Sequence, residues 1–273
     1  MCRLLGWAAR RPVTVADALG GAEFAAFTAL SRQHADGWGM AWWPPGSPSF
    51  DAPQVERSTT CAADDDRFAE LTKSAPADAG VVHLRWATPG LPVIAANTHP
   101  FVRGRMAFAH NGAIHPLDRI HELVPAGWAS QLVGTTDSER YFLSIAARVS
   151  KGEVLPQAVG SVVRRIFESF SPTSLNAMLL TPDALHVISA HDRARVPMMR
   201  ASSGGATSSM EPDTAFYELS YRADANSVVV ASSGFPQPVS EGWQRLANMT
   251  ILRIDRGTLA TSTVTLTDSL AIT

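Results

Sequence analysis

Short β-rich segments that follow one another without intervening helices constrain the fold of this chain most strongly. Each is rich in β-branched or aromatic residues and is bounded by turn-forming residues. Pro182 and Asp183 separate two of them and predict a hairpin. Strands grouped in this way favour antiparallel sheets covered by helices over a doubly wound parallel fold. The predicted strands cover residues 4–8, 39–43, 80–86, 106–111, 176–181, 184–190, 227–232 and 249–255.

Three helices are predicted between these strands, which makes the chain an α+β protein. Thr136 and Glu139 form a capping-box pattern ahead of a helix in which Tyr141 and Ile145 recur at helical spacing. The other predicted helices cover residues 16–30 and 155–170. Two loops are also predicted: residues 44–48 are rich in proline, and residues 201–209 are small and polar.

The composition excludes several classes of protein. Of the 273 residues, 45% are hydrophobic and 18% are charged, which suits one large domain or two small ones. The formal charge of -2 lacks the excess of positive charge that binding to nucleic acid or an anionic membrane requires. No apolar run approaches the roughly 18 residues of a membrane span, and no signal peptide is recognisable. We therefore expect a cytoplasmic protein with reduced cysteines that binds neither nucleic acid nor membrane.

Cys2 is a candidate nucleophile because it follows the initiator methionine. Removal of Met1 leaves a chain that begins with a thiol and a free α-amine on the same residue. That amine has an unperturbed pKa of about 8, which is low enough for a general base near neutral pH. One residue then supplies both nucleophile and base. The alternative is that Cys2 is a small apolar residue at the start of a strand.

Arg85 stands at the end of an apolar predicted strand and requires an anion. Burying an unpaired guanidinium is costly, and its planar fork matches a carboxylate in bidentate geometry. A substrate α-carboxylate would serve. An internal Asp or Glu would serve equally well, so both interpretations stay open.

Asn111 and Gly112 offer two adjacent hydrogen-bond donors at the end of another predicted strand. The Asn111 amide and the unobstructed backbone N–H of Gly112 suit a tetrahedral oxyanion. The same pair also favours a type I′ hairpin turn. Asp137 lies at a predicted helix start, where it either stabilises the helix dipole or binds a substrate ammonium.

Taken together, these residues describe one substrate. Arg85 would bind a carboxylate and Asp137 an ammonium. Asn111 and Gly112 would stabilise an oxyanion, and Cys2 would attack an amide. Glutamine carries these groups in that arrangement.

With these residues the chain resembles the class II glutamine amidotransferases, the N-terminal-nucleophile hydrolases with a catalytic cysteine. The motifs occur in the family's order within the first half of the chain, and several in that order are more specific than any one alone. They lie at residues 1–2, 36–39, 83–88, 97–101, 110–112 and 136–139.

The resemblance implies a fold and a set of roles. The fold would be a four-layer αββα sandwich of two antiparallel sheets, formed as a single domain by residues 2–273. The reaction would need no cofactor and no metal. Cys2 would be the nucleophile, with its α-amine as base. The remaining roles would be an oxyanion hole at Asn111 and Gly112, substrate binding by Arg85 and Asp137, and a pocket wall at Trp86 and Thr88.

Two departures bear on the substrate. Pro89 stands where some family members have His, so that part of the pocket differs. The chain after residue 140 shows no phosphate-binding or sugar-binding signature and resembles the rest of the same sandwich. The chain is therefore similar to stand-alone members, some of which hydrolyse γ-glutamyl bonds in glutathione or ergothioneine metabolism. Transfer of ammonia would require a partner subunit.

The alternatives differ in substrate or in chemistry. The same residues would hold the glutamyl end of a γ-glutamyl peptide or thiol conjugate, and only the leaving group would change. A third interpretation is a non-catalytic subunit that binds glutamine or a partner. A metal hydrolase is disfavoured because the histidines match no common zinc spacing, and we expect His99 and His110 to support neighbouring loops through hydrogen bonds.

Overall fold

Two antiparallel sheets form the centre of the computed structural model, which describes residues 2–45, 52–192, 194, 198–200, 210–212 and 215–266. The described strands are β1 (Arg3–Val13), β2 (Trp38–Trp43), β3 (Gln54–Ser58), β4 (Ala77–Leu84), β5 (Phe101–Arg103), β6 (Met106–Asn111), β7 (Ile114–His115), β8 (Ser171–Pro172), β9 (Asn176–Leu180), β10 (Ala184–Ser189), β11 (Met198–Arg200), β12 (Met210–Pro212), β13 (Leu219–Ala223), β14 (Ser227–Ser232), β15 (Gln244–Arg245), β16 (Thr250–Asp255) and β17 (Thr261–Thr265). The first sheet has the strand order β15-β13-β14-β1-β4-β2-β3, and the second has the order β17-β16-β10-β9-β6-β5. Two short pairs are formed by β7 with β8 and by β11 with β12.

Helices cover the outer face of each sheet. They are α1 (Val15–Leu19), α2 (Gly21–Ala29), α3 (Asp66–Ser74), α4 (Asp137–Val149) and α5 (Leu155–Ser169). The first three pack on the first sheet, where Phe27, Phe68 and Trp7 belong to one apolar cluster. The last two pack on the second sheet, where Tyr141 and Ile166 lie in the core. A third apolar cluster lies between the sheets. The expected four-layer order of helices, sheet, sheet and helices is therefore confirmed.

The regular elements agree closely with the sequence predictions. Every predicted strand is present, and the strands at residues 106–111 and 227–232 have the predicted bounds. β9 and β10 pair antiparallel around Pro182 and Asp183, so the predicted hairpin is confirmed. Thr136 caps α4, because its hydroxyl accepts a hydrogen bond from the backbone N–H of Glu139 at 3.1 Å.

Several predictions were wrong in detail. The strand predicted at 80–86 ends at Leu84, so Arg85 and Trp86 lie beyond it. The helix predicted at 16–30 divides at Gly20, whose φ of 101° is not helical. The Glu139 carboxylate does not close a capping box, since it accepts from the backbone N–H groups of residues 133 and 134. Helix α3 was not predicted, although the Asp65 side chain caps it.

The predicted loops fall partly outside the described residues. Strand β2 ends at Trp43, immediately before Pro44 and Pro45, as expected from two prolines. Residues 46–48 and 201–209 lie outside the described part of the chain. None of the helices within the described ranges is long and apolar enough to cross a membrane.

Close packing between β1 and β4 generates a stability prediction. Gly80 lies opposite Trp7 in the antiparallel pairing, and a Cβ at position 80 would overlap the Trp7 indole. Gly80→Ala should therefore lower the free energy of unfolding by roughly 1–3 kcal/mol, as expected of an overpacked core. Urea denaturation measures the change.

Gly21→Ala is the matched control for this substitution. Position 21 begins α2, and an added Cβ meets nothing within 4 Å. It should leave the free energy of unfolding unchanged or raise it slightly, because alanine favours helices. Equal effects of the two substitutions would contradict the packing argument.

Candidate functional site

The pairing of β1 with β4 brings Cys2 beside Arg85 and Trp86. Arg3 lies opposite Leu84 in this antiparallel register, so the residue before β1 meets the residues after β4. The backbone N–H of Trp86 donates to the Cys2 Sγ at 3.4 Å, and the Cys2 thiol lies 3.5 Å from the Trp86 carbonyl oxygen. The thiol is thus held by backbone groups rather than left in a purely apolar core.

Burial raises the pKa of the Cys2 thiol above its ordinary value. The Trp86 N–H and the Arg85 charge oppose this effect by favouring the thiolate. The thiol is therefore predominantly protonated at neutral pH. Attack on a carbonyl requires a base that removes its proton.

The Arg85 guanidinium is buried without a carboxylate to pair with. It is 3% exposed and donates to two backbone carbonyl oxygens, those of Asp36 at 3.3 Å and Pro92 at 3.2 Å. Burial lowers the pKa of this guanidinium. Among the described residues no Asp or Glu forms an ion pair with it. Of the two interpretations left open by the sequence, the internal ion pair is not seen within the described residues.

A tight turn at Asp36 and Gly37 holds the segment that contains Arg85. The Asp36 backbone N–H donates to the Arg85 carbonyl at 3.1 Å, and the Asp36 carboxylate accepts from the Ala87 N–H at 2.7 Å. Gly37 has φ of 124°, and a Cβ there would collide with the Ser58 carbonyl. Nothing in the sequence motif at residues 36–39 revealed that the Asp36 side chain positions the Arg85 segment.

Asn111 lies at the end of β6 with its side chain between the two sheets. Side chains alternate along a strand, so Asn111 shares a face with Ala107 and Ala109, which belong to the apolar cluster between the sheets. Its side chain is completely buried, and neither amide atom has a hydrogen-bonding partner within the described residues. An unpaired buried amide is costly. A ligand oxygen at this position would accept from it.

Gly112 is required by a close approach of two backbone segments. A Cβ at this position would collide with the Ser174 carbonyl oxygen. The type I′ hairpin considered from the sequence does not form, because β6 pairs with β5 and β9 whereas β7 pairs with β8. Asn111 and Gly112 therefore end a strand beside the Cys2 end of the first sheet.

Asp137 is the first residue of α4 and is nearly buried. Its Oδ2 accepts from the backbone N–H of Ile114 at 2.8 Å, which ties the segment after Gly112 to the helix. The neighbouring Ser138 hydroxyl is 2.8 Å from Nδ1 of His110, whose Nε2 contacts the Ser174 carbonyl at 2.9 Å. The supporting hydrogen bonds expected of His110 are thus present.

One small cavity, of about 20 Å³, collects six of the seven predicted site residues. Asn111 does not line it but directly precedes Gly112, which does. A space of this size holds about one water molecule, so a substrate must displace part of the wall on entry. Trp86 lines this cavity and is 39% exposed. The six lining residues are Cys2, Arg85, Trp86, Thr88, Gly112 and Asp137.

Two buried histidines lie at this cavity, whose wall includes His99. The rings of His83 and His99 are 4.2 Å apart, and burial lowers the pKa of both. The expectation for His99 was wrong, because neither ring nitrogen has a hydrogen-bonding partner among the described residues. No group of three metal-ligating side chains occurs in the part of the chain that the structure describes.

Comparison with known proteins identifies the family. The family model of the class II glutamine amidotransferases matches residues 1–271. Glutamine–fructose-6-phosphate aminotransferase of Mycobacterium leprae is 31% identical over 186 residues, which are 65% of this chain and 28% of that enzyme. γ-Glutamyl-hercynylcysteine sulfoxide hydrolase of Mycobacterium tuberculosis is 30% identical over 142 residues, 49% of this chain and 56% of that protein. Both matches span less than two thirds of the relative.

A solved structure confirms the fold over nearly the whole chain. The class II glutamine aminotransferase domain protein from Silicibacter pomeroyi superimposes with a TM-score of 0.62 and 16% identity, and covers 97% of this chain and 99% of its own. At this identity the similarity concerns the fold alone. It confirms the expected N-terminal-nucleophile hydrolase fold.

Buried histidines make the folded state sensitive to acid. Burial lowers the pKa of His83 to about 3 and that of His186 to about 4, from an ordinary value of 6.5. Below pH 6.5 the unfolded chain binds protons that the folded chain does not, so stability is lost as the pH falls toward these values. Each histidine should contribute a slope of about 1.4 kcal/mol per pH unit in that window. Urea denaturation between pH 7 and pH 5 measures it.

His186→Gln should reduce this slope by the contribution of one histidine. His121→Gln is the matched control because His121 is exposed on the surface. It should leave the slope unchanged. A pH-independent free energy of unfolding between pH 5 and pH 7 would contradict the account.

Proposed function

The chain belongs to the class II glutamine amidotransferases, and we propose that it hydrolyses the side-chain amide of glutamine with Cys2 as the nucleophile. The products are glutamate and ammonia. One observation carries the proposal: Cys2, Arg85, Gly112 and Asp137 line the same cavity, although they come from separate parts of the chain. We further propose that residues 2–273 act as one such domain.

Activation of Cys2 depends on removal of Met1. The α-amine that is then exposed takes the thiol proton, since its unperturbed pKa of about 8 suits a base near neutral pH. The thiolate attacks the γ-carbonyl carbon and the carbonyl oxygen becomes an oxyanion. The α-ammonium returns its proton to the leaving nitrogen, and ammonia departs. Water then attacks the thioester, which releases glutamate and restores the thiol.

The charged ends of the substrate have matching groups in the cavity. No carboxylate of the described residues pairs with the Arg85 guanidinium, so the α-carboxylate of glutamine would supply an anion there. Asp137 would bind the α-ammonium. The unpaired amide of Asn111 and the N–H of Gly112 would donate to the oxyanion, each contributing several kcal/mol to the transition state.

A second candidate substrate is a γ-glutamyl peptide or thiol conjugate. The glutamyl end would bind the same residues, and only the leaving group would be larger. Exposed apolar side chains on the segment beside the cavity favour this candidate: Trp86, Val93 and Ile94 are 39%, 44% and 43% exposed. These apolar side chains could contact an organic leaving group. The same surface would also suit a partner subunit that accepts ammonia.

The two cysteines allow a matched test of the proposal. Cys2→Ala should lower hydrolysis of glutamine and of a γ-glutamyl thiol conjugate by at least about a thousandfold, because the nucleophile is lost. Release of glutamate from each substrate is the measurement. The ratio of wild-type rates on the two substrates decides which leaving group the site prefers.

Cys61→Ala is the control, since Cys61 lies away from the cavity with its thiol 3.3 Å from the Ser31 carbonyl. The Cys61→Ala variant should release glutamate at the wild-type rate. Undiminished hydrolysis by Cys2→Ala would exclude Cys2 as the nucleophile. Binding of glutamine by the wild-type protein without hydrolysis would support a non-catalytic subunit instead.

A further inference from the structure

A cavity of about 730 Å³ lies at the opposite end of the second sheet from Cys2. The turn between β5 and β6, the turn at Pro182 and Asp183, the end of α4 and the start of α5 surround it. Met106 begins β6 at this cavity and Asn111 ends β6 at the candidate active site. The two sites are thus about 17 Å apart along the strand. The cavity takes no part in the proposed hydrolysis.

One side of this cavity is apolar. Met106, Val149 and Leu155 form part of its wall, and Trp128 presents an aromatic ring. Its volume lies within the range of roughly 300–1,000 Å³ that small-molecule sites occupy. The wall can therefore cover the flat, apolar body of a small organic molecule.

The remaining wall is positively charged. Arg103, Arg105 and Arg253 line the cavity together with the carboxylate of Asp183. Arg253 is paired with Asp183 at 3.1 Å and with Asp255 at 3.0 Å. Arg103 instead stacks over the Trp128 ring, with its guanidinium carbon 6.0 Å from the ring centre. Helix α5 also begins here, so the positive end of its dipole adds to the field.

A buried histidine supplies a polar group to the same cavity. The His186 side chain is 4% exposed and lines the cavity, and its Nδ1 has no hydrogen-bonding partner within the described residues. Because burial lowers the pKa of His186 to about 4, the ring is neutral at pH 7. A neutral imidazole nitrogen without a partner can donate to or accept from a bound molecule.

We infer that this cavity is a second small-molecule site, which takes an aromatic ring that carries an anionic group. The ring packs against Trp128 and the aliphatic side chains. The anion lies near Arg103 and Arg105, and a polar atom of the ligand reaches His186. The site is independent of the proposed catalytic residues.

Fluorescence titration with 8-anilinonaphthalene-1-sulfonate tests this site on the full chain. This probe is an aromatic anion, and N-phenyl-1-naphthylamine is its uncharged counterpart. The sulfonate should bind at one saturable site, about tenfold more tightly than the uncharged compound, because it alone gains the arginine contacts. Arg103→Gln should remove most of that preference. Trp128→Ala should weaken both probes.

Arg32→Gln is the matched control, because Arg32 lines a separate apolar cavity of about 440 Å³ between α2 and α3. It should leave the titration unchanged. Equal affinity for the two probes, or an equal effect of Arg32→Gln and Arg103→Gln, would overturn the inference. Thermal unfolding of each variant checks that the fold is intact. Repeating the titration with Cys2→Ala separates this result from the proposed hydrolysis, since binding should persist there.

Discussion

The antiparallel pairing of β1 with β4 is the constraint on which the rest of the site depends. It sets Arg3 opposite Leu84, and this register alone places the Cys2 thiol against the backbone of Trp86. A shift of one residue would turn the side chains of β1 to the opposite faces of the sheet. The close contact of Trp7 with Gly80 works against such a shift, because no other residue at position 80 leaves room for the indole.

The second sheet contributes the other half of the site through β6 and α4. The end of β6 carries Asn111 and Gly112, and the first residue of α4 is Asp137. The Asp137 carboxylate bonds to the backbone of Ile114, so strand end and helix start are held together. The candidate site therefore forms where the ends of two sheets meet. The cost of that arrangement is a buried Arg85 guanidinium that is bonded to backbone carbonyl oxygens, and a buried Asn111 amide without a hydrogen-bonding partner among the described residues.

Local patterns in the sequence predicted most of the regular structure, and six of the seven residues proposed for the site line one cavity. Alternating apolar residues predicted the strands, and Thr136 predicted the start of α4. Helix α3 was missed because its short amphipathic pattern lies in a highly charged segment. Tertiary pairing decided the rest. The sequence left open whether Arg85 has an internal partner, and whether Asn111 and Gly112 form a hairpin, since both depend on which strands become neighbours. The contact between His83 and His99 was unpredictable for the same reason.

The central claim is that Cys2, as the first residue of the mature chain, attacks a substrate held in a glutamyl pocket. Intact-protein mass after incubation with 6-diazo-5-oxo-norleucine, followed by mapping of the N-terminal peptide, tests it most directly. The reagent carries the amino and carboxyl groups of glutamine and an electrophile in place of its amide. The account predicts a chain that lacks Met1 and carries one adduct, on Cys2. Retention of Met1, an unmodified Cys2, or an adduct on Cys61 would contradict it.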